Sequence, residues 1–129
     1  NLGFVGFNHG FLHVPSVEIG TLWLCAYLEG ELELPSVEQM EQDIEEIRQW
    51  KEANIHFESS RGCGVNTRNQ KYIYIILREI DVSPYRKMPY IFAEMFGMYN
   101  CSDYQDVLKE YNYNAKNRTA PLRPLPVTT

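Results

Sequence analysis

The most constraining feature of this chain is an apolar segment at residues 2–7 for which the rest of the sequence offers no partner. The segment reads Leu-Gly-Phe-Val-Gly-Phe, and a β-branched residue beside aromatic rings is typical of a buried strand. No later segment of the 129 residues has strong strand character. A strand buried alone would leave backbone N–H and C=O groups without hydrogen bonds, which costs free energy. We therefore expect either that residues 2–7 belong to a sheet whose other strands lie outside this sequence, or that they are not a strand.

The remainder of the sequence predicts about five helices. The first follows Pro15, with Ser16 as its N-cap, and ends before Gly30. The second begins after Ser36, and Gln39 completes a capping box with that serine. Three more helices are predicted over residues 67–80, 89–98 and 102–111, the last with a capping box formed by Ser102 and Gln105. The predicted fold class is mainly α: one N-terminal strand of an incomplete sheet, followed by about five helices.

Apolar residues at helical spacing predict which side of each helix is buried. In the first helix the predicted inner residues are Val17, Gly20, Trp23, Leu24, Tyr27 and Leu28. In the second they are Met40, Ile44 and Ile47, and in the third they are Tyr72, Ile73, Ile76, Leu77 and Ile80. The prolines after residue 120 predict an extended tail, which either lies on another surface or is loose.

Composition excludes several classes of protein. Hydrophobic residues make up 44% and charged residues 22% of the chain, which fits one globular core. The net charge of −5 without a basic stripe argues against nucleic-acid binding. The longest apolar run, residues 22–28, is far shorter than the roughly 20 residues of a membrane helix, so no transmembrane segment is expected. Three cysteines without a C-x-x-C motif are read as reduced thiols, so we expect a cytoplasmic protein.

Most residues with reactive side chains lack the neighbours that their chemistry needs. His9 and His13 are four residues apart, but they lie in a glycine-flanked loop without a third ligand, so no metal site is predicted. Cys63 lies between two glycines, and no base is placed beside it by the sequence. The sequence also lacks the P-loop, G-x-S-x-G, H-E-x-x-H and G-x-G-x-x-G motifs.

One arrangement does favour a ligand: the predicted strand, a glycine-containing loop over residues 8–14 and the start of the first helix follow one another. The first turn of a helix has outward-pointing N–H groups and about half a positive charge. Such an end suits an anion or an electron-rich carbonyl group.

Several motifs in this region resemble the C-terminal part of the flavin-containing monooxygenases. They are Phe4-Val5-Gly6, Pro15-Ser16-Val17-Glu18, Trp23, Gly30, Leu34-Pro35-Ser36, Met40 and Asp43-Ile44. The resemblance covers about residues 3–45 and is weaker over residues 66–85. The family often has Gln and Arg at the positions of Gly20 and Leu22. A more distant FAD- and NADPH-dependent monooxygenase, of the group that includes the Baeyer–Villiger enzymes, therefore fits as well.

The resemblance implies an enzyme with separate FAD and NADPH domains, in which NADPH reduces the flavin and O₂ is used to oxygenate a small molecule at nitrogen, sulfur or a ketone. It implies that residues 1–30 contribute a strand and a helix to the FAD domain, that residues 31–115 form a helical cap, and that residues 116–129 are a tail. The helix start would then lie near the flavin ring. The residues placed nearest to FAD are Asn8, His9, Gly10, Ser16 and Val17.

Because both dinucleotide fingerprints are missing, we expect this chain alone to bind neither FAD nor NADPH tightly. Its partners would be the remainder of the FAD and NADPH domains and a small-molecule substrate. Two other hypotheses remain open. The chain could be a stand-alone helical interaction module, with the acidic helix over residues 38–46 or the aromatic helix over residues 89–98 as its contact face. It could also be a relative that has the fold without the catalytic activity.

Overall fold

The structure is a computed structural model that describes residues 2–6, 12–54 and 69–124. The described chain is mainly helical, as predicted, and none of the described residues forms a regular strand. The helices are α1 (His13–Leu28), α2 (Val37–Asn54), α3 (Asn69–Glu79), α4 (Ile91–Phe96), a 3₁₀ helix (Cys101–Tyr104) and α5 (Val107–Asn117). No described helix combines the length and the apolar composition that crossing a membrane requires.

Helix α1 begins earlier than the sequence indicates. Leu12 is the N-cap residue, and the backbone N–H of Ser16 donates to the Leu12 carbonyl at 3.0 Å. Ser16 therefore lies inside the helix, where its hydroxyl donates to the His13 carbonyl at 2.7 Å. The prediction that Ser16 caps this helix was wrong because Pro15 is tolerated in the first turn, where its missing N–H would have no intrahelical acceptor.

The buried core lies where α1 packs against α3. Ile19 and Ala26 of α1 are almost fully buried, as are Ile73 and Leu77 of α3. The 3₁₀ helix and α5 complete this core from the C-terminal part of the chain. Its buried apolar residues are Leu12, Ile19, Ala26, Leu32, Ile73, Leu77, Ile80, Val82, Tyr104, Val107, Tyr111 and Leu122. The prediction that Ile73, Leu77 and Ile80 face inward is thereby confirmed.

The inner face of α1 differs from the predicted one. The residues buried in α1 are Pro15, Ser16, Ile19, Gly20 and Ala26. Of the predicted set, Leu28 is 70% exposed, whereas Trp23 and Tyr27 are partly buried against the core. Helix α1 is apolar around most of its circumference, so helical spacing alone cannot distinguish the side that α3 covers.

The C-terminal part of the described chain lies beside the residues that follow α1. Leu32 and Leu122 form an isolated parallel β-bridge: the Leu122 N–H donates to the Glu31 carbonyl at 2.8 Å, and the Glu33 N–H donates to the Leu122 carbonyl at 3.0 Å. The Glu31 carboxylate accepts hydrogen bonds from Tyr111 at 2.5 Å and from Arg118 at 3.0 Å. The described part of the tail therefore lies on the connection that follows α1.

Helices α2 and α4 lie outside this core. Ser36 does cap α2, because its hydroxyl accepts the Gln39 N–H at 3.2 Å, but the Gln39 side chain bonds Asp43 and does not complete the box. None of the described residues of α2 is buried, and Ile44 is 66% exposed. The prediction of an inner stripe on this helix was therefore wrong within the described part of the chain. Helix α4 likewise has no buried residue.

The predicted capping box of Ser102 and Gln105 was also wrong. The box is formed by residues two positions earlier, where the Asn100 N–H donates to Asp103 Oδ2 at 2.8 Å. This box begins the short 3₁₀ helix, and α5 follows it as a separate helix.

We expect Trp23→Phe to lower the free energy of unfolding by about 1–3 kcal/mol. The indole Nε1 of Trp23 donates to Glu79 Oε2 at 2.7 Å, and Glu79 is only 8% exposed, so the change takes one donor away from a buried carboxylate. Urea unfolding measures the loss. Trp50→Phe is the matched control, because Trp50 lies on α2, which has no buried residue among those described. Equal losses in both variants would contradict this role of Trp23.

We expect stability to fall between about pH 10 and pH 12 through two buried phenols. Burial raises the pKa of Tyr104 to about 12, and burial followed by the hydrogen bond to Glu31 raises the pKa of Tyr111 to about 12. In the unfolded chain, the pKa of a tyrosine is about 10. The two phenols therefore make their full contribution to the free energy of unfolding below pH 10, and this contribution is lost as pH rises through their folded pKa values. The free energy of unfolding, measured as a function of pH, should decline less steeply in Tyr104→Phe and in Tyr111→Phe than in the unaltered chain. Tyr113→Phe, which alters a 70% exposed ring, should match the unaltered chain.

Candidate functional site

The N-terminal segment lies antiparallel along one side of α1. A Cβ atom placed on Gly3 would be 2.9 Å from the Leu24 Cδ atoms, and one placed on Gly6 would be 3.5 Å from Val17 Cγ2. Between them, Val5 Cγ1 is 3.6 Å from the corresponding position on Gly20. As the segment advances, its contacts therefore move toward the N-terminus of the helix.

The spacing of these contacts shows that the segment is extended. From Gly3 to Gly6 is three residues, or about 10 Å in a strand. From Val17 to Leu24 is seven residues, or about 10.5 Å in a helix. The two lengths agree, so residues 3–6 follow α1 as a strand follows the helix that comes after it in a βα unit.

The large apolar side chains of this segment are exposed to solvent. Leu2 is 82% exposed and Phe4 is 71% exposed, although both are large apolar residues. Within the described ranges, no β-bridge includes residues 2–6. The strand predicted for residues 2–7 is therefore not seen, and Gly6, with a φ of +91°, turns the chain out of the extended conformation. The segment has the position of a strand but no neighbouring strand among the described residues.

The glycines of this region permit the close approach. Gly20 has neighbours on two sides, because a Cβ there would lie 3.1 Å from the Tyr72 hydroxyl and 3.6 Å from Val5. In the sequence analysis, Gly6 was used only within the Phe4-Val5-Gly6 motif and was given no packing role. The spacing of Gly3 and Gly6 relative to Gly20 and Leu24 on the next helix is the signal that could have indicated this packing.

Two of the five residues predicted to be nearest FAD are described. Ser16 is 3% exposed, and its hydroxyl is used within α1. Val17 is half-buried and packs on Gly6. Asn8, His9 and Gly10 lie outside the described residues. The structure brings Val17 to the N-terminal segment, and it does not place Ser16 at the helix end.

The start of α1 has the electrostatics of a weak anion or carbonyl site. The N–H groups of His13 and Val14 belong to the first turn, while Pro15 has no N–H and that of Ser16 bonds Leu12. No acidic residue lies in this first turn, so none of its side chains offsets the positive end of the helix dipole.

The described residues contain few other groups that could form a catalytic or metal-binding site. They contain no group of three or more His, Cys, Asp or Glu side chains placed to hold a metal ion. Cys25 and Cys101 are free and exposed thiols. His9 and Cys63, which the sequence analysis considered as a metal ligand and as a nucleophile, lie outside the described residues.

Comparison with known proteins finds similarity over most of the chain. An FAD-dependent monooxygenase, DEP4, of Alternaria brassicicola is 29% identical over 108 residues, which is 84% of this chain. The FAD-dependent monooxygenase resA of Aspergillus sclerotiorum is 29% identical over 124 residues, or 91% of the chain. A probable flavin-containing monooxygenase of Arabidopsis thaliana is 24% identical over 106 residues. No protein-family model and no solved structure matches the chain.

The matched region is a small part of each relative. It covers 18% of the Alternaria protein, 20% of the Aspergillus protein and 19% of the Arabidopsis protein. This chain thus spans about a fifth of the length of the curated relatives that it matches. Over most of its own length, the chain is similar to proteins named FAD-dependent or flavin-containing monooxygenases.

Proposed function

We propose that this chain is the C-terminal part of an FAD- and NADPH-dependent monooxygenase, and that residues 2–6 and α1 are a βα unit of its FAD-binding domain. The observation that carries the proposal is the antiparallel packing of residues 3–6 on α1 while the opposite side of the segment is exposed. An extended segment that a helix covers on one side, and that pairs with no strand among the described residues, would be stabilised by further strands beside it. The names of the relatives and the fraction of their length that is matched support the same assignment.

The proposed contribution of α1 to the enzyme is electrostatic. Its N-terminal end carries backbone N–H groups without an acidic side chain in the first turn. Directed at the carbonyl edge of the flavin ring, this end would stabilise the negative charge of the reduced ring. Bound FAD, reduced by NADPH, would supply the activation of O₂ that inserts one oxygen atom into a small organic substrate. The residues that we propose nearest to FAD remain Asn8, His9, Gly10, Ser16 and Val17. Val17 would position the helix end by packing on Gly6.

A helical interaction module is the second candidate, and the exposed apolar side chains of α4 favour it. Ile91 is 59%, Phe92 83%, Met95 68% and Phe96 77% exposed. An apolar patch of this kind is typical of a contact surface. In this case the chain would unfold cooperatively as an independent unit and would have no requirement for flavin.

The reading frame upstream of residue 1 distinguishes the two candidates. We expect it to encode two strand–turn–helix units with G-x-G-x-x-G motifs, and we expect the purified product of the extended frame to show the absorbance of bound flavin. The 129-residue chain purified alone should show none. A continuous reading frame without either motif, or flavin bound tightly by the short chain, would contradict the proposal.

In that extended product, we expect Val17→Asp to reduce the flavin content at least fivefold. The substitution places a carboxylate against Gly6 and the N-terminal segment, which separates the segment from α1 and weakens the positive end of the helix. Flavin absorbance per protein measures the effect. Val37→Asp is the matched control: it makes the same change in the first turn of α2, at a residue that is 61% exposed, and the flavin content should not change.

A further inference from the structure

A small cavity lined by tyrosines lies apart from the N-terminal segment. Its volume is about 100 Å³, and it is enclosed by the start of α3, the turn that follows this helix, α4 and the 3₁₀ helix. Its lining residues are Gln70, Ile73, Tyr74, Pro84, Tyr85, Glu94, Tyr99 and Tyr104. Four of these eight residues are tyrosines and one is a glutamate, and the proposed function assigns them no role.

The size of the cavity limits what it can hold. It is smaller than the engineered cavity of about 150 Å³ that binds benzene, and far smaller than the pockets of at least about 300 Å³ that take drug-sized ligands. A group of a few heavy atoms fits, with the rest of its molecule in solvent. The site therefore recognises a compact head group.

The tyrosine rings are arranged around a common space. Tyr74 and Tyr85 meet edge to face, with ring centroids 6.1 Å apart, and their hydroxyl oxygens are 3.5 Å apart. Tyr99 and Tyr104 also line the cavity, and their ring centroids are 5.9 Å apart. The faces of such rings carry partial negative charge and attract cations, most strongly those that are weakly hydrated.

Glu94 supplies a full negative charge to the same space. One of its carboxylate oxygens accepts a hydrogen bond from the Tyr99 hydroxyl, and the other accepts the backbone N–H of Lys87 at 2.8 Å. Both donors are neutral, and none of the ion pairs of the described residues includes Glu94. Within the described part of the chain, the carboxylate is thus oriented by neutral donors and is in no ion pair.

Two rings of the cavity already attract cations of this chain. Lys87 Nζ lies 5.3 Å from the centroid of Tyr99, and its charge is balanced by Asp103 at 3.0 Å. The guanidinium carbon of Arg78 lies 5.7 Å from the centroid of Tyr74. Neither residue lines the cavity. The positive charge of the exposed Arg78 would repel a cationic ligand. Removing this charge should therefore strengthen the binding of a cation, which gives a test of the site.

We propose that this tyrosine cavity binds the quaternary ammonium group of a small organic molecule. The aromatic walls match alkyl groups on nitrogen, the carboxylate matches the charge, and the volume matches a head group alone. A bare ammonium ion would lose strong hydration on entry, and the walls offer it few hydrogen-bond acceptors in return. An anion would meet Glu94. This proposal does not depend on the proposed monooxygenase function.

Titration of the purified 129-residue chain with choline, followed by NMR, tests the proposal. We expect saturable binding that shifts the tyrosine ring signals, together with similar binding of tetramethylammonium. The neutral isostere 3,3-dimethyl-1-butanol and ammonium chloride should each bind at least tenfold more weakly. Free trimethyllysine, titrated separately, shows whether a methylated side chain fits as well as a small molecule does. Equal binding of the neutral isostere would show that the cavity selects apolar groups and not charge, and it would overturn the proposal. The absence of saturable choline binding would also overturn it.

Charge variants give opposite expected results. Glu94→Gln should weaken choline binding at least fivefold, whereas Arg78→Gln should strengthen it about twofold or more. Glu33→Gln is the matched control for Glu94, because Glu33 is in an exposed ion pair with Arg123 and should leave binding unchanged. If Glu94→Gln unfolds the chain, the Arg78 variant, altered at an exposed residue, decides the question. Unchanged or weaker binding by Arg78→Gln would then contradict the proposal.

Discussion

The structure depends on covering helix α1 from two sides. Ile19 and Ala26 face the core against α3, whereas Val17, Gly20 and Leu24 face the N-terminal segment. A helix that is apolar around most of its circumference is stable in water only when more than one neighbour buries it. Helix α3 provides a well-packed cover, and the Trp23–Glu79 hydrogen bond ties the two helices together. The N-terminal segment provides the second cover and leaves its own outer side in solvent.

The two sides of α1 therefore differ in how completely the described chain buries them. On the side of α3, the core is closed by the 3₁₀ helix, by α5 and by the return of Leu122 to the end of α1. On the opposite side, the described residues provide one extended segment where an α/β protein has a sheet. Helices pack on a sheet through the faces of its strands, and each strand is stabilised by hydrogen bonds to its neighbours. Residues 2–6 pack on a helix and form no β-bridge with any described residue, as expected for a single βα unit separated from its sheet.

The sequence predicts those features that depend on local patterns, and it fails where distant contacts decide. Ile73, Leu77 and Ile80 repeat at helical spacing on a helix with a polar opposite side, so their burial is predictable. Ser36 before an acidic helix predicts a cap, because a serine hydroxyl accepts a backbone N–H of the first turn and acidic residues favour that end of a helix. The inner face of α1 was mispredicted because both of its sides are apolar, and the stripe on α2 was mispredicted because an amphipathic pattern shows that a helix has an apolar side without showing what covers it. At the candidate site, the predicted strand is not seen, and Pro15 concealed the true start of α1. The contacts of Gly3, Gly6 and Gly20 depend on how the chain folds back, which no local pattern predicts.

Helix α3 separates the two candidate sites and makes them independent. The Tyr72 hydroxyl lies toward Gly20 of α1, beside the N-terminal segment, whereas Tyr74 lines the tyrosine cavity. Two residues along a helix correspond to a rotation of about 200°, so these side chains leave α3 on nearly opposite sides. Between them, Ile73 is 1% exposed and belongs to the core that both sites share. A substitution that damages this core would therefore affect both sites, but a change of charge at Arg78 or of packing at Val17 alters one site and leaves the other as its internal control. The flavin role of the N-terminal unit and the cation binding of the cavity can thus each fail without the other.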